Sequence, residues 1–457
     1  MIFVGYAGRF GWGMGLSVTW IGIANALIGT LLAWKLLAKP TRRITQRLGA
    51  ATMPDFFLKR YDSQKLKIVS AVIIFVFLVP YCASVYQGIG YFSTAVLGIP
   101  YQYCMIGMAL LTAVYLLVGG YIATALTNFV QGLIMVVGVV LMVLFVIGNP
   151  AVGGLSEGLS KIAALPVEGA ADGPALASFF GSSANILPLV SLILLTSLGT
   201  WGLPQMVHKF YAIRDKRAIT RGTIISTLFA LLVGGAAYFV GGFGRLILNN
   251  EMPAGGSDTI MPEVLVAALP SVLLGLILVL LLAASMSTLA SLVLVSSSAI
   301  SLDLVKGVMR PKMKDKGVVS LTRIFCAVFV IVSVVIALLE PAAIFTLMSY
   351  SWGAISGCFL APFLFGVRWK GMTKAGAWAG IATGLIVTVT LMVLNIIGGI
   401  LPPWVSPPFI GSLAMVLSLI ITPIVSALSK KFDAAHIDRV FGTDEPAPAA
   451  AEETAAV

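Results

Sequence analysis

Charge is what this 457-residue chain has little of: 10% of its residues are Asp, Glu, Lys or Arg, 59% are hydrophobic, and mean hydropathy is +1.02. That composition excludes a soluble domain. Histidine is scarcer still; His208 and His436 are too few and too far apart in sequence to found a metal centre. Cys82, Cys104, Cys326 and Cys358 all fall in apolar runs and make no C-x-x-C pair, which removes a disulfide scaffold and leaves small buried hydrophobes. No basic stretch precedes "MIFVGYAGRFGWGMG", so the amino end reads as part of a mature helix and not as a cleavable signal. Acids are missing from the helix interiors as well: Asp55, Glu251, Asp258, Glu263 and Glu340 fall in loops or at helix ends, which disfavours a proton relay. No nucleophile–base or metal constellation points to an enzyme.

What is present is apolar length. Runs of about 20 residues recur along the chain, each enough to cross a hydrocarbon core about 30 Å thick, so the class is an all-α polytopic membrane protein and not a barrel. Spans are expected at 15–37, 66–97, 101–118, 121–148, 185–207, 222–246, 265–305, 319–339, 342–366, 375–397 and 409–428, with an incomplete segment at 1–12. The net charge of +11 is concentrated in alternate loops: Lys35 to Lys67, Lys209 to Arg221, Lys306 to Arg323, Arg368 to Lys374, and Lys430 with Lys431. The intervening loops hold mostly acids. That is the positive-inside pattern, which places the carboxyl terminus in the cytoplasm and removes nucleic acid as a partner. Residues 1–428 form the membrane domain, and 429–457, ending in "DEPAPAAAEETAAV", read as a disordered tail. The partners implied are a lipid bilayer and a small solute; no obligatory protein partner is evident.

Two segments are interrupted where a plain spanning helix should not be, "VGYAGRFGWGMG" at the amino end and "SLGTWGLP" at 197–204. Freed backbone groups are tolerable at membrane depth where they line a cavity or a site. Matching interruptions in two halves, 1–148 and 185–366, point to an inverted-repeat transporter, while glycine-mediated close packing explains either segment alone. Residues 281–304, "LLAASMSTLASLVLVSSSAISLDL", carry nine hydroxyls or carboxylates. Ala284, Ser287, Thr288 and Ser291 share one helical face. Neutral oxygens in that pattern suit a hard monovalent cation; a packing seam whose hydroxyls bond back to their own helix is the competing explanation.

The stretches "TMPDFFLKRY", "YLLVGGYIATALTNFVQG", "WGLPQMVHKFYA", "AASMSTLASLVLVSSSAISLDL" and "SYSWGAISGCFLAPFLFGVRWKGMTKAGAWAG" follow one another from end to end. In that order they resemble the sodium:solute symporter family, its proline-transporter branch above all. The resemblance implies a LeuT-like five-plus-five inverted repeat with extra carboxyl-terminal helices at 375–428, working by alternating access with Na+ as coupling ion. Carried over, the sodium ligands are the Ala284 carbonyl and the Ser287 and Thr288 hydroxyls. The solute is expected near Gly5, Tyr6, Thr196, Thr200 and Trp201, with Tyr86, Gln87 and Ser349 as further polar contributors. Tyr115 falls on the inner release path, and Asn128 stands where many relatives carry an aspartate.

The chain departs from that pattern in three ways. It opens inside the first core helix, so an upstream start or a truncated chain is expected. Asn128 and Ala290 argue for one coupled cation and against a second. Thr196 and Thr200 replace large aromatics, widening the pocket and arguing against proline. The expectation is therefore sodium-coupled import of a small polar solute, an amino acid or an organic acid, across the plasma membrane. The alternatives are an uncoupled facilitator on the same scaffold, or an inactive fragment.

Overall fold

A backbone surrounded by hydrocarbon must satisfy its own N–H and C=O groups, so apolar runs of this length fold as helices. The computed structural model describes residues 2–118, 120–166, 173–211, 213, 215–398 and 400–442; side chains at 2, 115–128 and 216 lie outside that description. Its helices are α1 (2–14), α2 (15–38), α3 (Lys39–Leu48), α4 (Met53–Tyr61), α5 (Gln64–Leu97), α6 (Tyr101–Val118), α7 (Gly120–Gly148) and α8 (Leu155–Ala163). There follow α9 (186–198), α10 (Pro204–Tyr211), α11 (Lys216–Gly242), α12 (Ile260–Ala268) and α13 (271–309). The last are α14 (Asp315–Leu339), α15 (Ile344–Arg368), α16 (Lys374–Ile397), α17 (Pro407–Leu428) and α18 (Ala434–Phe441). Ten segments among the described residues are long and apolar enough to cross a membrane.

The breaks have local causes. α1 and α2 meet at Gly15, whose φ of +59° favours glycine, and a Cβ there would collide with the Leu176 backbone. The helix begun at α9 widens to i→i+5 turns over Leu194–Leu198, tightens over Gly199–Gly202, turns extended at Leu203 and resumes as α10 at Pro204. The start of α1, Ile2–Ala7, is wound with the same wide turns. Both expected interruptions are thus present.

Two expectations are corrected. The span at 265–305 divides into α12 and α13, because Pro270 pushes Leu269 into extended backbone (φ −111°, ψ 143°). The tail is not unstructured from residue 429: α18 is a helix capped by Asp433 and packed on α3, with Val440 buried. Its order comes from distant groups, since Arg47 Nε donates to the Arg439 carbonyl at 2.8 Å. Residues 443–457 lie outside the described residues.

α15 runs through the middle of the molecule, packed on α5, α16, α17 and the 199–202 break, and every residue from Met348 to Phe363 is buried. α11 packs on α1, α2 and α7, while α13 packs on α5, α7 and α14. Glycines permit the closest approaches, as where Gly384 of α16 lies against the Gly357 backbone of α15.

Candidate functional site

Four of the residues expected around the solute converge on the first turns of α15. Tyr6 OH lies 2.7 Å from Ser349 Oγ and 3.3 Å from the Phe345 carbonyl, and both side chains are fully buried. A Cβ on Gly5 would sit 2.5 Å from Ile344 Cγ2, so glycine is what lets α1 lie against α15. Gln87 Nε2 donates to the Ala342 carbonyl at 3.3 Å, while its Oε1 is buried without a partner. Arg9 lies over the Phe345 ring at 4.1 Å and donates to Ser257 Oγ at 3.1 Å. Asp258 completes this end: its Oδ2 accepts the Ile344 N–H at 2.9 Å, capping α15. Burial pushes the Asp258 carboxyl up from its ordinary value, against the Ile344 N–H bond and the Arg9 charge.

Thr196, Thr200 and Trp201 form a second group at the broken helix. Thr196 Oγ1 donates to the Leu192 carbonyl at 2.7 Å and Thr200 Oγ1 to Ser197 at 2.7 Å. Trp201 Nε1 reaches the Ile28 carbonyl on α2 at 3.2 Å. Ser356 on α15 donates to the Gly199 carbonyl at 2.6 Å, satisfying backbone freed by the break. α15 therefore touches both groups, through Ser349 and, two turns on, Ser356.

The three residues expected to hold Na+ stand on α13. Thr288 Oγ1 donates to the Ala284 carbonyl at 3.0 Å, Ser291 Oγ to the Ser287 carbonyl at 2.7 Å, and Ala284, Ser287 and Thr288 are all half-buried. The back-bonding of the seam explanation is thus present. It does not disable the oxygens: a hydroxyl that donates keeps its lone pairs, and a carbonyl has two. Two neutral oxygens 3.0 Å apart, with Ser287 next to Thr288 in the chain, are donors of the kind a hard alkali ion takes, though three do not complete its shell. At the far end of α13, buried Asp303 accepts from Thr52 Oγ1 at 2.7 Å and pairs with Lys67 at 3.3 Å. Ser301 bonds Thr322 at 2.6 Å, in keeping with a packing seam there. Tyr115 and Asn128 lie outside the described side chains.

Sequence reasoning missed several central groups. Trp352 of α15 meets Tyr81 of α5 edge-on at 5.5 Å, and Tyr238 of α11 buries a hydroxyl that has no partner. Ser349, Trp352 and Ser356 share a face at i, i+3 and i+7, a signal readable in "SYSWGAISG".

Two broken segments, each tied to α15 through a buried serine hydroxyl, are the pattern of a secondary transporter and not of an enzyme. A family model described as "Sodium:solute symporter family" matches residues 1–384, and the chain belongs to that family, which makes Na+ its coupling ion. It is 31% identical to a sodium/proline symporter of Salmonella typhimurium, covering 96% of this chain and 86% of that protein. It is also 31% identical to the osmoregulated proline transporter OpuE of Bacillus subtilis, covering 94% and 85%. Among solved structures it shares the fold of a Na+-coupled sialic acid symporter in a substrate-bound outward-open state (TM-score 0.66, 17% identity, 94% and 92% covered). The fold is likewise that of MHP1, a nucleobase-cation-symport-1 family transporter (TM-score 0.53, 14% identity, 96% and 92% covered).

Proposed function

We propose that this protein imports a small zwitterionic amino acid, proline being the first candidate, together with Na+ by alternating access across the plasma membrane. The basic loops and α18 lie on the cytoplasmic side in this reading. The membrane core comprises repeats 1–148 and 185–366 with α16 and α17 outside them. Na+ binds the Ala284, Ser287 and Thr288 oxygens, and the solute binds where Gly5, Tyr6, Gln87 and Ser349 meet.

The observation that carries this reading is the buried Tyr6–Ser349 contact, which joins the first broken segment to α15 at 2.7 Å in a chain of the sodium:solute symporter family. Proline is favoured by the proline transporters of two organisms that match over most of their length. The argument against proline rested on Thr196 and Thr200 facing the solute. Both hydroxyls donate to carbonyls of their own broken helix, which engages their protons but leaves the wider pocket that threonine makes in place of an aromatic, so proline stands on the relatives alone.

Uptake of labelled proline into proteoliposomes, with an inward Na+ gradient and with K+ in its place, tests the proposal. Accumulation is expected only with Na+. Uptake that equilibrates identically in both salts points instead to a facilitator, and accumulation of other amino acids but not proline corrects the solute.

A further inference from the structure

The two histidines of this chain hold opposite ends of the same short helix, α4. At its amino end Pro54 has no N–H, Asp55 donates its N–H to Thr52 Oγ1 at 3.1 Å, and Met53 donates its N–H to His208 Nε2 at 3.1 Å. At its carboxyl end the Arg60 carbonyl accepts from His436 Nε2–H at 2.8 Å. Arg439 Nη2 donates to Nδ1 of that imidazole at 3.0 Å, and the ring stacks on Phe432 at 4.2 Å. His208 rides on α10, the half-helix beyond the break. His436 rides on α18, which Arg43 fastens to α3 through the Phe441 carbonyl at 3.4 Å and Arg47 through Arg439.

Both arrangements require neutral rings. His208 Nε2 needs its lone pair to accept from Met53, and His436 Nδ1 needs its lone pair to accept from Arg439. A proton at either place sets donor against donor. We propose that α4 carries a pH-read clasp at each end: neutral imidazoles tie its ends to α10 and α18, and acidification of the basic face protonates them and loosens those ends, while Arg60 on the Gly366 carbonyl keeps α4 itself seated.

The surroundings leave the rings free to respond. Around His208, α3 brings Arg42, which donates to the Ile213 carbonyl at 2.7 Å. α4 brings Asp55, paired with Lys59 at 2.8 Å and Lys67 at 3.3 Å. Asp303 stands beyond Thr52, α13 carries no titratable side chain between Ser271 and Ser298, and Lys209 and Tyr211 share α10 with the histidine. The Tyr211 ring lies tilted against His208, with centroids 5.1 Å apart. Burial lowers His208 to about 4. His436 is lowered too, first by burial and then by Arg439 and Arg60, against its bond to the Arg60 carbonyl and the charge of Asp62; Asp433 takes up its backbone N–H at 2.8 Å.

The sign follows from linkage. A released His208 titrates near its ordinary value of about 6.5. The clasp is at full strength above that pH and weakens as pH falls toward the held value, shifting its equilibrium about tenfold toward release at about pH 5.5 relative to about pH 8.

Hydrogen–deuterium exchange on the full chain in nanodiscs, without Na+ or solute and expressed as protection factors, tests this. Opening of amides 53 and 55 should rise about tenfold between about pH 8 and about pH 5.5, and opening of 434–442 should rise with it. His208→Gln and His436→Gln, which keep an acceptor and a donor but cannot charge, should together abolish the rise; His436→Gln alone should abolish it for 434–442. Unchanged wild-type protection, or a double variant with the full pH response, overturns the clasp. Since neither ion nor solute enters the readout, that failure leaves the symport proposal standing. Loss of Na+-driven uptake with an intact pH response does the reverse.

Discussion

α13 and α15 are both long apolar helices seeded with hydroxyls, yet they use them in opposite ways. On α15 the hydroxyls reach other elements: Ser349 meets Tyr6, Ser351 donates to the Phe77 carbonyl four residues from its helix's neighbour Tyr81, and Ser356 donates to Gly199. On α13 the hydroxyls from Thr288 to Ser298 that bond at all turn inward, Thr288 to Ala284, Ser291 to Ser287 and Ser298 to Val295, and a crossing to α14 comes only beyond them at Ser301. The first kind of bond ties elements together and is expensive to break. The second is local, and an oxygen that only serves its own helix can change partner without disturbing packing. A fixed post needs the former; a reversible ion site needs the latter.

That contrast can be broken most forcefully on α13. Ser287→Ala combined with Thr288→Ala should abolish Na+ stimulation of uptake, a loss of about tenfold or more in rate, while the protein still inserts and folds. Retained accumulation with unchanged Na+ dependence would remove the triad from the mechanism. On α15 the larger effect is on stability. Tyr6→Phe leaves Ser349 buried without its partner and should cost about 1–3 kcal/mol, read as a lower melting temperature in detergent. Tyr6→Phe with Ser349→Ala should be less than additive, because each change removes the same contact. The smallest effect is expected at Ser291→Ala, whose bond is intrahelical: a change within about 0.5 kcal/mol, with Na+ dependence intact.

Much of this was legible in the sequence because membrane spans are written as length. The break at Gly199–Leu203 was readable because "GTWGLP" concentrates residues that release backbone bonds. The division at Pro270 carries the same signal, but a lone proline within an apolar run does not stand out from it. α18 could not be read that way. It is an eight-residue helix with one fully buried side chain, and its order depends on Arg43, Arg47 and the Arg60 carbonyl, nearly 400 positions away in the chain. At the candidate site, Tyr6 and Ser349 were each recognisable as polar residues in apolar surroundings. Their pairing across 343 positions is a product of tertiary packing alone. Tyr238 stayed hidden since one tyrosine in a spanning helix is indistinguishable from an interfacial anchor until its depth is known.

The corner at Gly15 has a mechanical corollary. Its left-handed backbone is wedged against the main chain at Leu176 and cannot flex without losing that seat. A tilt of α1 must therefore be transmitted to α2 as though the two were arms of one bell crank. With Trp201 bonded to the Ile28 carbonyl of α2, that arm also ends at the second discontinuous segment.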